Sequence, residues 1–278
     1  MFRILALESY KIFKKWRTYI GFITLAVVIP LIILAFKLEG GNFVNNATRN
    51  LQRDFIFVGN LLNAWFIAHL IMNSLFVHIP FLITLVAGDM LAGEATAGTY
   101  RILLTRPISR TKILIIKYIA TIFYTTMLVG FLAMLSIGLG SIFFGYGDLL
   151  VIDREMLILP GNEIWWRFAV AYIGALCGMW VVASVAFFFS SFVENAIGPI
   201  IGTMAVLIIF LIVSELPVEF FEPVKPYLFT SYFAVWRKAF EDPINWTQII
   251  NWIAYLLAYC AGLFLLTLYY FRRKDVLS

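Results

Sequence analysis

The chain has 278 residues, 62% of them hydrophobic and only 13% charged, with a mean hydropathy of +0.92. A soluble domain carries about 25% charged residues, so this composition excludes one and implies a single membrane domain whose apolar surface faces lipid or other spans. The net charge of +5 has no soluble domain through which to bind nucleic acid and is read as topology signals facing anionic headgroups.

Residues 2–17 read as an amphipathic helix. At about 100° per residue Phe2, Leu5, Ile12, Phe13 and Trp16 share one arc, with Arg3, Lys11, Lys14 and Lys15 elsewhere on the wheel. A basic helix with an aromatic-rich stripe is expected to lie flat in the interface. The charge-free run from Thr18 to Phe36 is too long for the h-region of a signal peptide, and "LAFKLEGG" is a poor cleavage site. It is expected to be a retained first span.

Six spans are predicted, at 18–36, 61–87, 113–140, 167–189, 195–214 and 249–271. The window from Phe55 to Gly88 would run about 51 Å as one helix, so its start is expected in the interface and Pro80 is expected to kink it. Asn63, His69, Asn73, Ser74 and His78 fall within half of its circumference. That face should avoid lipid, as a substrate path, a dimer seam or helix packing glued by hydrogen bonds. His69 and His78 lie nearly opposite each other on a straight helix, so no metal site is expected. Cys177 and Cys260 lie in apolar runs without metal-ligand spacing and read as core thiols.

An even span count puts both termini on one side. The tails, the connection after span two and the start of span three hold thirteen Lys and Arg residues against eight on the other side, which is expected to make the termini cytoplasmic in a multi-pass inner-membrane protein.

The connection contains "GEATAGTYRILLTRPISRTK", residues 93–112. Pro107 cannot sit in a helix interior, so residues 88–105 are predicted as a short cytoplasmic helix, with the third span rising from Ser109. Gly93 and Gly98 each cost such a helix about 1 kcal/mol relative to alanine, and packing must offset that. Either this is a docking surface with Glu94 and Arg101 at its edge, or a solvated loop that only sets topology. The later connection "SSFVENAIG" makes spans four and five a hairpin, with Glu194 touching a partner or favouring the next helix N-terminus. "ELPVEFFEPVKPYLFTSYFAVWRKAFEDP" is expected to form short helices dipping into the outer interface.

Glu94, Gly98-Thr99, Leu103-Leu104, Pro107, Ser109-Arg110 and Lys117 together resemble the signature of type-2 permease subunits of ATP-binding cassette (ABC) exporters. The detailed resemblance covers residues 88–117, and departs from the family where Ala95, Thr96 and Ala97 replace frequently charged positions. It implies an all-α membrane protein of six transmembrane helices. An N-terminal connector helix precedes them, a coupling helix joins spans two and three, and outer re-entrant helices join spans five and six. It implies ATPase contact through Glu94, Gly98, Thr99, Arg101, Pro107, Arg110 and Glu194. The implied partners are the lipid bilayer, a second permease chain, identical or paralogous, and two ABC ATPase subunits that bind ATP and Mg. The chain contains no Gly-Lys dipeptide and hence no phosphate loop. ATP hydrolysis is therefore expected in a separate chain, with no catalytic residue, metal or cofactor here. An intramembrane hydrolase or a channel is the alternative, but no HExxH, nucleophile and base, or charged filter is recognisable.

Overall fold

A computed structural model describes residues 2–49, 60–96, 109–152 and 156–273. Helix α1 (Phe2–Lys14) is separated from α2 (Trp16–Thr48) by Lys15, whose extended backbone (φ −83°, ψ 131°) breaks the helical path. Helix α2 continues well past the expected span end at Phe36, because a span ends where apolar length ends whereas a helix needs only continued backbone hydrogen bonding. Lys37, the first charge beyond that point, lies 4.9 Å from the centre of the Phe143 ring.

The second apolar segment is two helices, α3 (Ala64–Leu75) and α4 (Ile79–Ala87), bent by 56°. Pro80 sits in the first turn of α4, where its missing N–H costs little, so the break falls just before the expected kink. At the break the His78 amide turns to the Leu75 carbonyl, and the His78 ring supplies what the Ser74 carbonyl loses: Nδ1–H donates to it at 2.9 Å. There follow α5 (Asp89–Thr96), α6 (Arg110–Phe144), α7 (Ile164–Phe192), α8 (Ile197–Glu215) and α9 (Trp246–Arg273).

Among the described residues five helices, α2, α6, α7, α8 and α9, are long and apolar enough to cross a membrane, and the bent pair passes the same test jointly. The chain is a helical multi-pass membrane protein. The described residues are mostly helical, consistent with an all-α membrane protein, and include one small antiparallel hairpin, β1 (Leu149–Ile152) and β2 (Met156–Leu159), registered Leu149 to Leu159. Two four-residue apolar runs around a charged tripeptide are a hairpin signal, which the all-helix reading passed over.

Helix α7 occupies the centre: 72% of its most apolar window is buried, against 17–28% for the other four. The bent pair runs between the two ends of this bundle. The Ala64 amide donates to the Gly145 carbonyl (2.8 Å) at the end of α6, whereas the Gly88 carbonyl accepts from Ser190 Oγ (2.6 Å) at the end of α7. We call the end holding α1 and the start of α6 the basic end.

Between α8 and α9 the chain forms 3-10 segments at Glu219–Phe221, Lys225–Tyr227 and Phe229–Phe240. The last reaches into the bundle. A Cβ on Gly174 would lie 3.0 Å from Val235 Cγ1, so any larger residue would force the segment to give way at this separation. Gly174 is ten residues into α7, about 15 Å from its start. Arg167 holds the segment's exit: Nη1 donates to the Glu241 carbonyl (2.8 Å), and Nη2 lies 3.6 Å from Asp242 Oδ1 and 3.7 Å from Glu163 Oε2. Gly174→Leu should destabilise the protein by about 1–3 kcal/mol through overpacking, read as a lower unfolding temperature in detergent. Gly262→Ala, where a Cβ meets nothing within 4 Å, should not.

Candidate functional site

Lys117 lies two turns into α6 within the run "ILIIKYIATIF", where an unpaired cation would be costly. Its ammonium is 2.7 Å from Glu94 Oε1 and 2.9 Å from Glu8 Oε2, and its side chain is only 3% exposed. Lys11 closes the group, 2.6 Å from Glu8 and 3.6 Å from Glu94. Glu8 reaches this centre because it precedes the buried Ile12 by four residues and shares its helix face. A second tie joins Asp89, at the first turn of α5, to Lys15 Nζ (2.6 Å) and Arg17 Nη1 (3.2 Å). A carboxylate is favoured at that helix end. Helix α5 is therefore fixed near both ends, to α6 and α1 through Glu94 and to the α1–α2 junction through Asp89.

Gly93 makes the second tie possible. A Cβ there would fall 2.3 Å from Asp89 Oδ1, where the carboxylate now lies. The packing needed to offset its helix cost is thus internal. Ser190, buried at the end of α7, accepts from the amides of Leu91 (3.1 Å) and Ala92 (2.9 Å). It meets two α5 amides that have no partner within their own helix. Thr96 Oγ1 donates to the Ala92 carbonyl at 2.9 Å, with the Glu194 carbonyl also in reach. So α5 is joined to α1, α6, α7 and the α7–α8 connection.

The residues picked from sequence separate accordingly. Glu94, expected at the edge of a docking surface, is turned inward onto Lys117 because that cation has to be neutralised. Glu194 is exposed beside α5, and Arg110 is exposed at the start of α6, after the Ser109 cap. Gly98, Thr99, Arg101 and Pro107 lie outside the described residues. Glu8, Asp89 and Ser190 were missed. A lysine inside an apolar run is the signal for Glu8, since a buried cation calls for a carboxylate. The amphipathic arc of α1 is also divided: Ile12 is buried in the protein, whereas Trp16 opens α2 and is exposed.

The expected polar face of the second segment does not form one stripe. Asn63 is wholly buried and precedes the helix as its cap, accepting from the amides of Trp65 (3.0 Å) and Phe66 (3.2 Å) and donating to the Asp148 carbonyl (2.6 Å). His69 packs against Phe240 (5.0 Å between centroids) and Trp236 (5.8 Å). Only Asn73, Ser74 and His78 are exposed, clustered at the break.

Burial by itself would push the Glu8 carboxyl up, but Lys117 and Lys11 outweigh it and hold the group below its ordinary 4.5. Burial would likewise lower Lys11, and Glu8 and then Glu94 overcome it and raise the group above 10.5. A depressed carboxyl contributes stability above its unfolded value and loses it as pH falls through the folded value. A raised lysine contributes below its unfolded value and loses it as pH rises through the folded one. The cluster should therefore hold between these limits and loosen below pH 4.5, seen as faster proteolysis of α1. Lys117→Met should cost about 3 kcal/mol, because it leaves two largely buried carboxylates sharing the half-exposed Lys11 alone. The same change combined with Glu8→Gln and Glu94→Gln should recover most of that loss in a thermal unfolding measurement.

The family described as "Protein of unknown function (DUF2705)" matches residues 27–277, which include Asp89, Glu94, Lys117 and Ser190. The uncharacterized protein YhcI of Bacillus subtilis (strain 168) is 32% identical over 116 residues, covering 40% of this chain and 37% of that relative. With its match running over nearly the whole length, the chain belongs to the DUF2705 family, whose function is unknown.

Proposed function

We propose that the chain is the permease subunit of an ATP-driven ABC exporter, with both termini cytoplasmic and ATP hydrolysed by separate subunits. The observation that carries the proposal is the attachment of α5. A short helix directly after the second apolar segment is clamped to α1, α6 and α7 by Lys117, Lys15, Arg17 and Ser190. A helix held this way moves with its neighbours, as a mechanical input requires. The bent pair then counts as one crossing, giving six with α2, α6, α7, α8 and α9.

In this reading Glu94 transmits force and does not itself touch the ATPase. The docking surface is assigned to the residues following α5 in the chain, including Gly98, Thr99, Arg101 and Pro107, together with Arg110 and Glu194, both of which are exposed. Helix α1 is the connector that braces α5, since its buried Glu8 and Ile12 turn into the protein and away from lipid. The segment Phe229–Phe240 is the re-entrant element that closes the path from outside. Two such chains form the pathway, each paired with an ATPase subunit that holds ATP and Mg.

Purification of the tagged chain from its native host in mild detergent should bring down a stoichiometric protein with a phosphate-binding loop. A stable chain that purifies alone overturns the exporter reading. In the reconstituted complex, Glu94→Gln should keep the chain inserted while lowering transport per ATP hydrolysed by about tenfold, the size of a typical coupling energy between sites. Unchanged coupling would remove α5 from the transmission path.

A further inference from the structure

The break between α3 and α4 exposes Asn73, Ser74 and His78 on a helical surface that elsewhere is buried or apolar. Asn73 lies nine residues beyond the start of α3, about 14 Å along the helix, and His78 lies beyond its end at Leu75, inside the bent apolar pair. Polar groups in such a segment do not face hydrocarbon without cost. A cation joins them: the Arg237 guanidinium, carried into the bundle by the Phe229–Phe240 segment, donates to Asn73 Oδ1 at 2.9 Å. Arg237 also stacks over the Trp236 ring at 5.4 Å. Its neighbour Lys238 is neutralised by Glu241 at 2.7 Å, whereas no described carboxylate pairs with Arg237. Because a carbonyl only accepts, the bond to Ser74 places a proton on Nδ1 of the exposed His78 ring. Val77, within the break, and Phe81, in the first turn of α4, are 52% and 46% exposed and supply apolar surface close to it in the chain.

We propose that this notch is an anion site in the transport path. Arg237 is the charged recognition element, oriented by Asn73, and the ligand is an amphipathic anion whose carboxylate, phosphate or sulfonate meets Arg237 while its apolar body lies along Val77 and Phe81. This inference rests on the permease reading, because it takes the exposed break to line an aqueous path and not to face lipid. A guanidinium suits such a site because it stays charged, is weakly hydrated and presents a fork of donors that matches these oxyanions.

The test uses Ser74→Cys in the full chain, reconstituted in phosphatidylcholine nanodiscs. Both native cysteines are buried, and wild-type protein sets the background. Labelling rates are compared for a sulfonate-bearing and a trimethylammonium-bearing methanethiosulfonate, each normalised to a small thiol in free solution. The anionic reagent should be favoured by about tenfold near one uncompensated cation. The preference should vanish when Arg237→Gln is added and persist with Arg237→Lys. Decanoate should slow the labelling, and decanol at the same concentration should not. If discs containing phosphatidylglycerol slow it without decanoate, the bilayer supplies the anion; if they do not, the ligand enters from water. Equal normalised rates, a preference that survives Arg237→Gln, or indifference to decanoate overturns the anion site while leaving a water-filled path. Failure of both reagents to label overturns the site and the pathway reading together.

Discussion

One buried lysine organises the basic end of this protein. Lys117 lies where a bare ammonium would be intolerable, and two carboxylates from separate helices reach in to neutralise it. Because the charges come from α1, α5 and α6, satisfying one electrostatic requirement also fixes three helix positions. Lys11 and the Asp89 tie extend the constraint to the α1–α2 junction. Hydrophobic packing would hold these helices together without choosing their register. A buried charge chooses, since a slip would separate it from its partner.

The other end is held by different means. There a 3-10 segment enters the bundle against Gly174 and Gly178, where side chains are absent and backbone can approach. Phe233, Trp236 and Phe240 fill the space, and Phe76 and His69 pack onto them. Arg167 fastens the exit by bonding to backbone carbonyls. The break between α3 and α4 lies between these two regions. Its own hydrogen bonding is repaired by the His78 ring, which lets one apolar segment change direction without leaving the Ser74 carbonyl unsatisfied.

Some of this was legible in the chain. Apolar run lengths marked the crossings, Pro80 marked the bend within a few residues, and the glycines near residue 93 signalled close packing because their helix cost had to be offset. The lysine at 117 in an apolar run announced a carboxylate partner. What misled was the wheel. It treated residues 61–87 as one helix, so Asn63, His69 and His78 were assigned a common face; a cap, an aromatic contact and a break sent them to different places. It also read α1 for lipid when part of its apolar arc faces protein.

The sequence by itself determined that this is a helical membrane protein and roughly where its helices run, because apolar length is a local property of the chain. Only the tertiary structure decided that Glu94 faces inward, that Glu8 is its companion, that Gly93 makes room for Asp89, and that Arg237 meets Asn73 from 164 residues away. Those pairings depend on which faces come together when the helices pack. A local pattern states that a charge needs a partner, and the fold selects the partner.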